Sequence, residues 1–185
     1  MARLDVVVPG GLAGGPHGGG PVVVVGAPGQ LLPALPAGVA VVEDPVEGLG
    51  PTQGIAAGLT AVAERAATAF VCSTDMPFLH TVYVQRVLRG LTVPDVDLVL
   101  PVARGFRQPL AAGYRTSLAR LITDLIAEGN LRPGTLFQHC QVLRLEDSEL
   151  LADAALARYD PELESVVNIN TPEDYAEAHA PAGRR

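Results

Sequence analysis

One apolar stretch that ends in a carboxylate constrains the fold of this chain more than any other part of the sequence. The residues from Ala69 to Cys72 are apolar, Asp75 follows after Ser73 and Thr74, and Pro77 ends the run. An apolar run of this kind, bounded by a turn, is typical of a parallel strand that is buried on both faces. Ligands of a doubly wound sheet bind just beyond the carboxyl ends of such strands. The sequence therefore predicts a carboxylate at this edge, where it suits a hard divalent cation that also binds phosphate oxygens.

A second interpretation of Asp75 is purely structural. Aspartate often caps the helix that follows it, and residues 81–89 fit a helix at a suitable distance. The two interpretations differ in what the carboxylate contacts, because one pairs it with a helix N-terminus and the other with a metal and a ligand.

Predicted strands and helices alternate along the rest of the chain. The apolar strand patterns cover residues 4–8, 22–26, 39–42, 97–102 and 141–145, and the helical patterns cover 55–67, 118–127 and 150–158. This alternation predicts a Rossmann-like α/β fold, with a mainly parallel sheet between two helical layers and a single domain over residues 1–185. The link between the first two strands is too short for a parallel crossover, so one N-terminal covering helix is predicted to be missing.

Composition and charge exclude several classes of function. The net charge of −7 argues against a nucleic-acid or membrane-surface partner, since no basic stripe exists to neutralise a polyanion. Gly and Pro interrupt every apolar run before it reaches bilayer length, and the N-terminal residues lack the pattern of a signal peptide. The two cysteines, Cys72 and Cys140, are too few for a disulfide framework. These features predict a globular cytoplasmic protein.

The sequence contains no lysine, and all thirteen of its basic residues are arginines. A general coding preference for arginine explains this pattern adequately. Its chemical consequence is that no compact ammonium group is available to contact a phosphate.

Four further segments carry polar groups at predicted strand ends or turns. Asp44 ends the strand at 39–42, and the turn Gly48–Gly54 leads into a helix. Asn168 and Asn170 alternate with apolar residues, so both amides face one side of an extended segment, where they either bind a ligand or are solvated. The arginines of the predicted hairpin at 104–115 suit an anionic ligand and are equally suited to solvent.

With Asp75, the Gly48–Gly54 turn and the two asparagines in this order, the sequence resembles the MobA-like nucleotidyltransferases, and among them the molybdenum cofactor guanylyltransferases. The resemblance runs from about residue 22 to residue 180. It implies an enzyme that moves GMP from GTP to the molybdopterin cofactor and releases pyrophosphate. Mg²⁺ is the implied cofactor, and a molybdoenzyme or its chaperone is the implied macromolecular partner.

The resemblance also implies roles for individual residues. Asp75 would bind the metal, with Asn168 and Asn170 beside it, and these three would form the catalytic set. The nucleotide would contact Asp75 and the residues of four other positions or turns, namely Asp44, Gly50, Gly54 and the loop residues Leu12, Ala13, Gly14 and Gly15. Arg107, Gln108 and Pro109 would bind the acceptor.

The N-terminal 21 residues depart from the family pattern, so they are interpreted as a degenerate nucleotide loop. Leu12–Gly15 matches the start of the family signature, but the arginine, the lysine and the helix that should follow are absent. In a second register, residues 4–11 match the strand after that signature, and the chain then starts downstream of the loop. Three functions stay open on these grounds: the guanylyltransferase, a pseudoenzyme or binding module that retains the acceptor side, and a cytidylyltransferase or other NTP transferase of the same fold.

Overall fold

A mixed sheet of eight strands forms the centre of the computed structural model, which describes residues 22–44, 50–171 and 176 and the backbone of 5–9. The strands are β1 (Asp5–Pro9), β2 (Val23–Gly26), β3 (Ala40–Glu43), β4 (Thr68–Ser73), β5 (Leu98–Ala103), β6 (Phe106–Arg107), β7 (Ala111–Arg115) and β8 (Val142–Glu146). The helices are α1 (Pro51–Val62), α2 (Thr81–Gly90), α3 (Leu118–Ala127), α4 (Pro133–Leu136), α5 (Asp147–Leu151) and α6 (Ala154–Tyr159), and a 3₁₀ turn covers Glu164–Val166.

The strands follow the order β3-β2-β1-β4-β7-β5, and β6 and β8 also pair with β5. Strands β2, β3, β4, β5 and β8 share one direction, whereas β1, β6 and β7 run the opposite way. The predicted α/β fold is confirmed. Its parallel character lies in these five strands, which all run in the same direction. Because β1 and β7 are inserted between strands of the shared direction, many neighbouring pairs are antiparallel.

The connection between β1 and β2 agrees with the expectation that it is too short for a parallel crossover, since these strands pair antiparallel. The predicted loss of an N-terminal helix concerns residues 10–21, which lie outside the described residues.

Helices cover both faces of the sheet, as the three-layer prediction requires. Alternate residues of β4 face opposite sides: Ala69 and Val71 belong to the core beneath α1 and α3, and Phe70 and Cys72 belong to the core beneath α2. Helices α5 and α6 bury Leu150 and Leu156 in the second core. The sheet is therefore the middle of an α/β/α sandwich.

Two helix predictions need correction. Helix α1 was predicted over 55–67 and covers Pro51–Val62. It begins four residues early because Pro51 fits the first helical position, where a missing N–H costs nothing, and it ends five residues early. The single helix predicted over 150–158 is wrong, because the Asp153 carboxylate caps a separate helix, α6. Helix α3 has the predicted bounds.

Across the described ranges, no helix combines the length and the apolar character that a bilayer span requires.

Candidate functional site

Asp75 lies in the turn that directly follows β4, at the edge where the strands of the shared direction end. Its Oδ2 accepts a hydrogen bond from Asn168 Nδ2 at 3.2 Å. Its Oδ1 is buried and has no hydrogen-bond partner among the residues with described positions. A buried carboxylate oxygen without a partner is rare, because burial removes the water that would otherwise solvate it.

The interpretation of Asp75 as a helix cap is wrong. Helix α2 is capped by His80, whose Nδ1 accepts a hydrogen bond from the Val82 N–H at 3.2 Å. The His80 backbone N–H in turn donates to Ser165 Oγ at 3.0 Å. The Asp75 carboxylate therefore does not cap α2.

The segment that carries Asn168 is anchored from two directions. Asp160, which is 6% exposed, accepts hydrogen bonds from the N–H groups of Glu164 at 2.6 Å and Ser165 at 3.1 Å. Further along, the Ile169 N–H donates to the Asp75 carbonyl oxygen at 2.8 Å. These bonds hold the Asn168 amide against the Asp75 carboxylate, whereas Asn170 is exposed.

Sequence reasoning missed Asp160 and Ser165, which position this segment without touching the carboxylate. An available signal was the aspartate of Asp160-Pro-Glu-Leu-Glu164, because aspartate before a short polar turn is a frequent cap.

Burial raises the pKa of Tyr83 above its ordinary value, and the charges of Asp160 and Asp147 raise it further. The phenol therefore stays neutral and donates a hydrogen bond to the Ala111 carbonyl oxygen at 3.2 Å. This contact joins α2 to the start of β7.

The predicted nucleotide-side residues lie along the same edge of the sheet, away from Asp75. Asp44 directly follows β3, and its N–H donates to the Gly26 carbonyl oxygen at 2.7 Å. Three strand spacings separate β3 from β4 in the sheet order, which is about 14 Å. Asp44 and Asp75 therefore follow strands that end at the same edge of the sheet, without being direct neighbours.

Helix α1 begins at this edge, because it follows β3 after a short connection. Gly50 precedes it with a φ of 79°, a conformation that favours glycine. Gly54 is buried in the first turns of the helix. Gln53 is 7% exposed, and its Oε1 is buried without a partner among the described residues.

The predicted acceptor-side residues lie on the other side of Asp75. The Gln108 N–H donates to the Pro101 carbonyl oxygen at 2.9 Å, and the Pro109 carbonyl oxygen accepts from the Tyr114 hydroxyl at 2.7 Å. The Leu110 carbonyl oxygen accepts from the Ser73 N–H at 3.1 Å, which ties this turn to the end of β4. Arg107 is exposed on β6.

A cleft of about 520 Å³ opens beside this turn. It is lined by Arg104, Phe106, Gln108, Asp147, Leu151, Pro161, Glu162, Leu163 and Val166. Two of its lining residues are close in sequence to residues that contact the Asp75 site or the end of β4, since Gln108 is two residues from Leu110 and Val166 is two residues from Asn168. Arg104 belongs to this cleft, whereas Arg107 is not among its lining residues.

The loop residues and the metal ligands are the remaining predicted groups. Leu12, Ala13, Gly14 and Gly15 lie outside the described residues. Over the described part of the chain, no three His, Cys, Asp or Glu side chains come together as a metal cluster. A metal at Asp75 would therefore be completed by substrate oxygens and water, as is usual for Mg²⁺.

Comparison with known proteins identifies the family of this chain. The family model described as the MobA-like NTP transferase domain matches residues 15–142, which is more than half of the chain. The chain belongs to the MobA-like NTP transferase family. Its match to that model includes Asp44, Gly50, Gly54, Asp75 and the turn at Gln108 and ends before Asn168.

Relatives of this MobA-like chain occur in mycobacteria. A protein of Mycobacterium tuberculosis strain H37Rv named "Probable molybdenum cofactor guanylyltransferase" is 40% identical over 126 residues, which cover 68% of this chain and 61% of that protein. A Mycobacterium ulcerans protein of the same name is 39% identical over 140 residues, covering 74% of this chain and 68% of that protein.

A solved structure supports the same fold. Molybdopterin-guanine dinucleotide biosynthesis protein A from Archaeoglobus fulgidus superposes with a TM-score of 0.60 at 25% identity, covering 76% of this chain and 66% of that one.

Proposed function

We propose that this MobA-like chain is a single-domain nucleotidyltransferase that moves GMP from GTP to the phosphate of the molybdopterin cofactor and releases pyrophosphate. The observation that carries the proposal is the Asp75 carboxylate, which has one oxygen bonded to Asn168 and the other buried without a partner in the described residues. The names of the mycobacterial relatives supply the choice of guanine nucleotide and molybdenum cofactor.

The residues at Asp75 fit a magnesium ion. Asp75 Oδ1 would hold the ion, and the Asn168 amide would fix the orientation of the carboxylate through Oδ2. When bound, Mg²⁺ neutralises the charge of the phosphate oxygens. Asn170 would contact the acceptor or the metal-bound phosphate.

The two substrates would approach Asp75 from opposite sides of the crevice. Asp44, Gly50 and Gly54 are assigned to the nucleotide on one side, together with the loop Leu12–Gly15. Arg107, Gln108 and Pro109 are assigned to the acceptor on the other. Such placement would favour in-line attack of the acceptor phosphate on the α-phosphorus, because the reacting groups meet at the central carboxylate.

A second candidate is a binding module that retains the acceptor side and does not transfer a nucleotide. The absence of lysine from the sequence favours it, since no ammonium group can clamp the triphosphate. Cations in this role change the rate of phosphoryl transfer by about 10³-fold or more. In either case the cofactor would pass to a molybdoenzyme or its chaperone in the cytoplasm.

The deciding experiment measures pyrophosphate released from GTP, Mg²⁺ and molybdopterin cofactor. We expect release by the native chain, a loss of about 10²-fold or more in Asp75→Asn and a loss of about tenfold in Asn168→Ala. Asp124→Asn is the matched control, because Asp124 is an exposed carboxylate on α3 and makes only a long ion pair with Arg120. Equal release by the native chain and Asp75→Asn would refute the assignment.

Calorimetry separates the remaining alternatives. Titration with molybdopterin cofactor, GTP with Mg²⁺ and CTP with Mg²⁺ should show binding of the first two in a guanylyltransferase. Cofactor binding without any nucleotide binding would establish the binding module instead. Preference for CTP would change the transferred group to CMP.

A further inference from the structure

Helix α3 brings the segment that follows it to the edge of the sheet where β4 ends. The helix starts near the opposite edge, where the Thr116 hydroxyl donates to the Ala66 carbonyl oxygen, four residues beyond α1, at 2.8 Å. It runs antiparallel to α1, and after its end the Thr52 hydroxyl donates to the Leu131 carbonyl oxygen at 2.7 Å. Thr52 lies in the first turn of α1 and is 2% exposed. The chain at Leu131 therefore lies beside the start of α1.

The start of α1 is placed between the nucleotide-side carboxylate and Asp75. Helix α1 packs on β1 and β2, which are the two strands between β3 and β4 in the sheet. Asp44 follows β3 and Asp75 follows β4, so the start of α1 lies beside the gap of about 14 Å between the ends of these strands. A nucleotide bound at Asp44, with its phosphates at a metal on Asp75, would pass this point.

The first turn of α1 has features of a ligand-binding position. No acidic residue lies in that turn, and Gly50 supplies no side-chain cap, so its N–H groups are open to an anion. Gln53 is 7% exposed, and its Oε1 is buried without a partner among the described residues. An unpaired buried acceptor is costly, and a ligand that contacts it would remove the cost.

Arg132 brings a cation to this position. It directly follows Leu131 and is exposed, and its guanidinium has no hydrogen bond or ion pair among the described residues. Although Arg132 precedes α4, its side chain makes no cap hydrogen bond there. A guanidinium carries five N–H donors in a planar fork that matches the oxygens of a phosphate.

Other described arginines are engaged elsewhere or lie away from the start of α1. Five of them donate to other groups or pack on a ring: Arg86, Arg89, Arg104, Arg115 and Arg158. Arg107 is on β6, at the acceptor side. Because the sequence contains no lysine, an arginine must supply any side-chain cation that contacts the nucleotide phosphates permanently charged.

We propose that Arg132 contacts the polyphosphate of the nucleotide and supplies the cation that an absent lysine would otherwise provide. The inference deepens the proposed function and rests on it, because it takes the nucleotide to lie between Asp44 and Asp75. In the transfer, an acceptor phosphate oxygen forms a bond to the α-phosphorus while the bond from that phosphorus to the α–β bridging oxygen breaks. The electron pair stays on this oxygen as pyrophosphate leaves, and the guanidinium stabilises the added charge.

The test is a calorimetric titration of the full chain, in the presence of Mg²⁺, with GTP, with GMP and with tripolyphosphate, which carries no base. We expect Arg132→Ala to weaken GTP and tripolyphosphate by about tenfold or more, since both lose charge-assisted hydrogen bonds. GMP lacks the β- and γ-phosphates and should bind about equally to both chains. Arg132→Lys should recover part of the loss, because an ammonium keeps the charge without the fork.

Pyrophosphate release supplies a second readout. Release should fall by about 10²-fold in Arg132→Ala, and added methylguanidinium should restore part of it. Arg120→Ala is the matched control, because it removes an exposed guanidinium from the first turn of α3 and breaks only a long ion pair with Asp124. This control should match the native chain in binding and release. The thermal unfolding midpoint of Arg132→Ala should stay near the native value, because the residue is exposed and makes no cap.

The outcomes separate this inference from the proposed function. Equal binding of GTP and tripolyphosphate by the native chain and Arg132→Ala would overturn the role of Arg132 and leave the transferase intact. Weaker GMP binding by the same factor as GTP would also overturn it, because the arginine would then not contact the outer phosphates. Loss of tripolyphosphate binding in Arg132→Ala, together with no pyrophosphate release by the native chain, would refute the transferase alone. No binding of GTP or tripolyphosphate by the native chain would overturn both.

Discussion

At the residue scale, two buried side-chain oxygens in the described part of the chain accept no hydrogen bond, Asp75 Oδ1 and Gln53 Oε1. Each unpaired acceptor costs roughly 1–3 kcal/mol of stability. Gln53 lies in the first turn of α1, and Asp75 directly follows β4, so both lie along one edge of the sheet. Ligands of α/β folds bind at this edge of the sheet, so unpaired acceptors that lie there indicate a ligand site more strongly than unpaired acceptors elsewhere in the core would.

Cys140 offers a test of burial at a single side chain. Burial raises the pKa of the Cys140 thiol to about 11, and the charge of Asp97 adds to the effect. Because the thiolate is the reactive form, we expect alkylation by iodoacetamide at pH 8 to be about 100-fold slower than for a free cysteine.

The measurement uses Cys72→Ala, so that Cys140 is the thiol followed, with mass spectrometry at several pH values. The rate should keep rising by about tenfold per pH unit beyond pH 9, until the thiol titrates. A rate that levels off near pH 8.5 would contradict the raised pKa.

At the element scale, side chains decide where the helices of this protein begin. His80 caps α2, Glu146 and Glu149 form a reciprocal capping box at α5, and Asp153 accepts hydrogen bonds from two N–H groups of α6. The α2 cap matters for the site, because its His80 N–H also holds Ser165. Local capping is thus coupled to the segment that carries Asn168.

We expect Asp153→Ala to lower the free energy of unfolding by about 1 kcal/mol at pH 7, since α6 loses its cap. The hydrogen bond from the Leu156 N–H lowers the pKa of Asp153. Burial opposes this effect, but the charge of Arg89 and the Ala155 N–H also lower the pKa, so the net shift is downward. A carboxyl with a lowered folded-state pKa stabilises the fold above its unfolded-state pKa. The contribution is lost as the pH falls below about 4 and through the lower folded-state value.

Urea unfolding at pH 7 and at pH 3 measures this difference. Asp153→Asn is the matched control, because asparagine keeps an oxygen that can cap the helix and loses the charge. The gap between the native chain and Asp153→Ala should shrink at pH 3. An equal gap at both pH values would mean that the charged carboxylate contributes nothing to the cap.

Helix predictions succeeded where the periodic apolar pattern alone sets the element. Helix α3 has the predicted bounds because Leu118, Ile122 and Leu125 repeat at helical spacing and are all buried. The single helix predicted over 150–158 is wrong, because Asp153 lies within that range and caps a separate helix. Capping competes with periodicity there, and the side-chain hydrogen bonds decide the outcome.

At the scale of the whole molecule, the order of the strands arranges the site. Groups assigned to the nucleotide follow β3, Asp75 follows β4, and the acceptor turn precedes β7. Since β7 runs opposite to β4, its start lies beside the end of β4. The antiparallel direction of β7 therefore places the Gln108–Leu110 turn at the same edge of the sheet as Asp75.

The same order predicts a gradient of local stability. Strands β4 and β5 lie inside the sheet with side chains that are mostly fully buried, whereas β3 lies at the end of the sheet with mostly exposed side chains. We expect the amides of β4 and β5 to exchange hydrogen most slowly and those of β3 to exchange faster, because opening of an end strand breaks fewer contacts. Hydrogen-exchange mass spectrometry measures this directly, and faster exchange in β4 than in β3 would contradict the strand order.

The amino-acid sequence by itself determined the alternation of strands and helices, the α/β class and the position of Asp75 at the end of a buried strand. These properties are local, because apolar periodicity and turn residues act over a few neighbouring positions. Only the tertiary structure decided that Asn168 bonds to Asp75 across 93 residues, that His80 rather than Asp75 caps α2, and that Phe106 and Glu162 face one cleft. Such contacts depend on which strands become neighbours and in which direction they run, and the burial of shared apolar faces sets this for the chain as a whole.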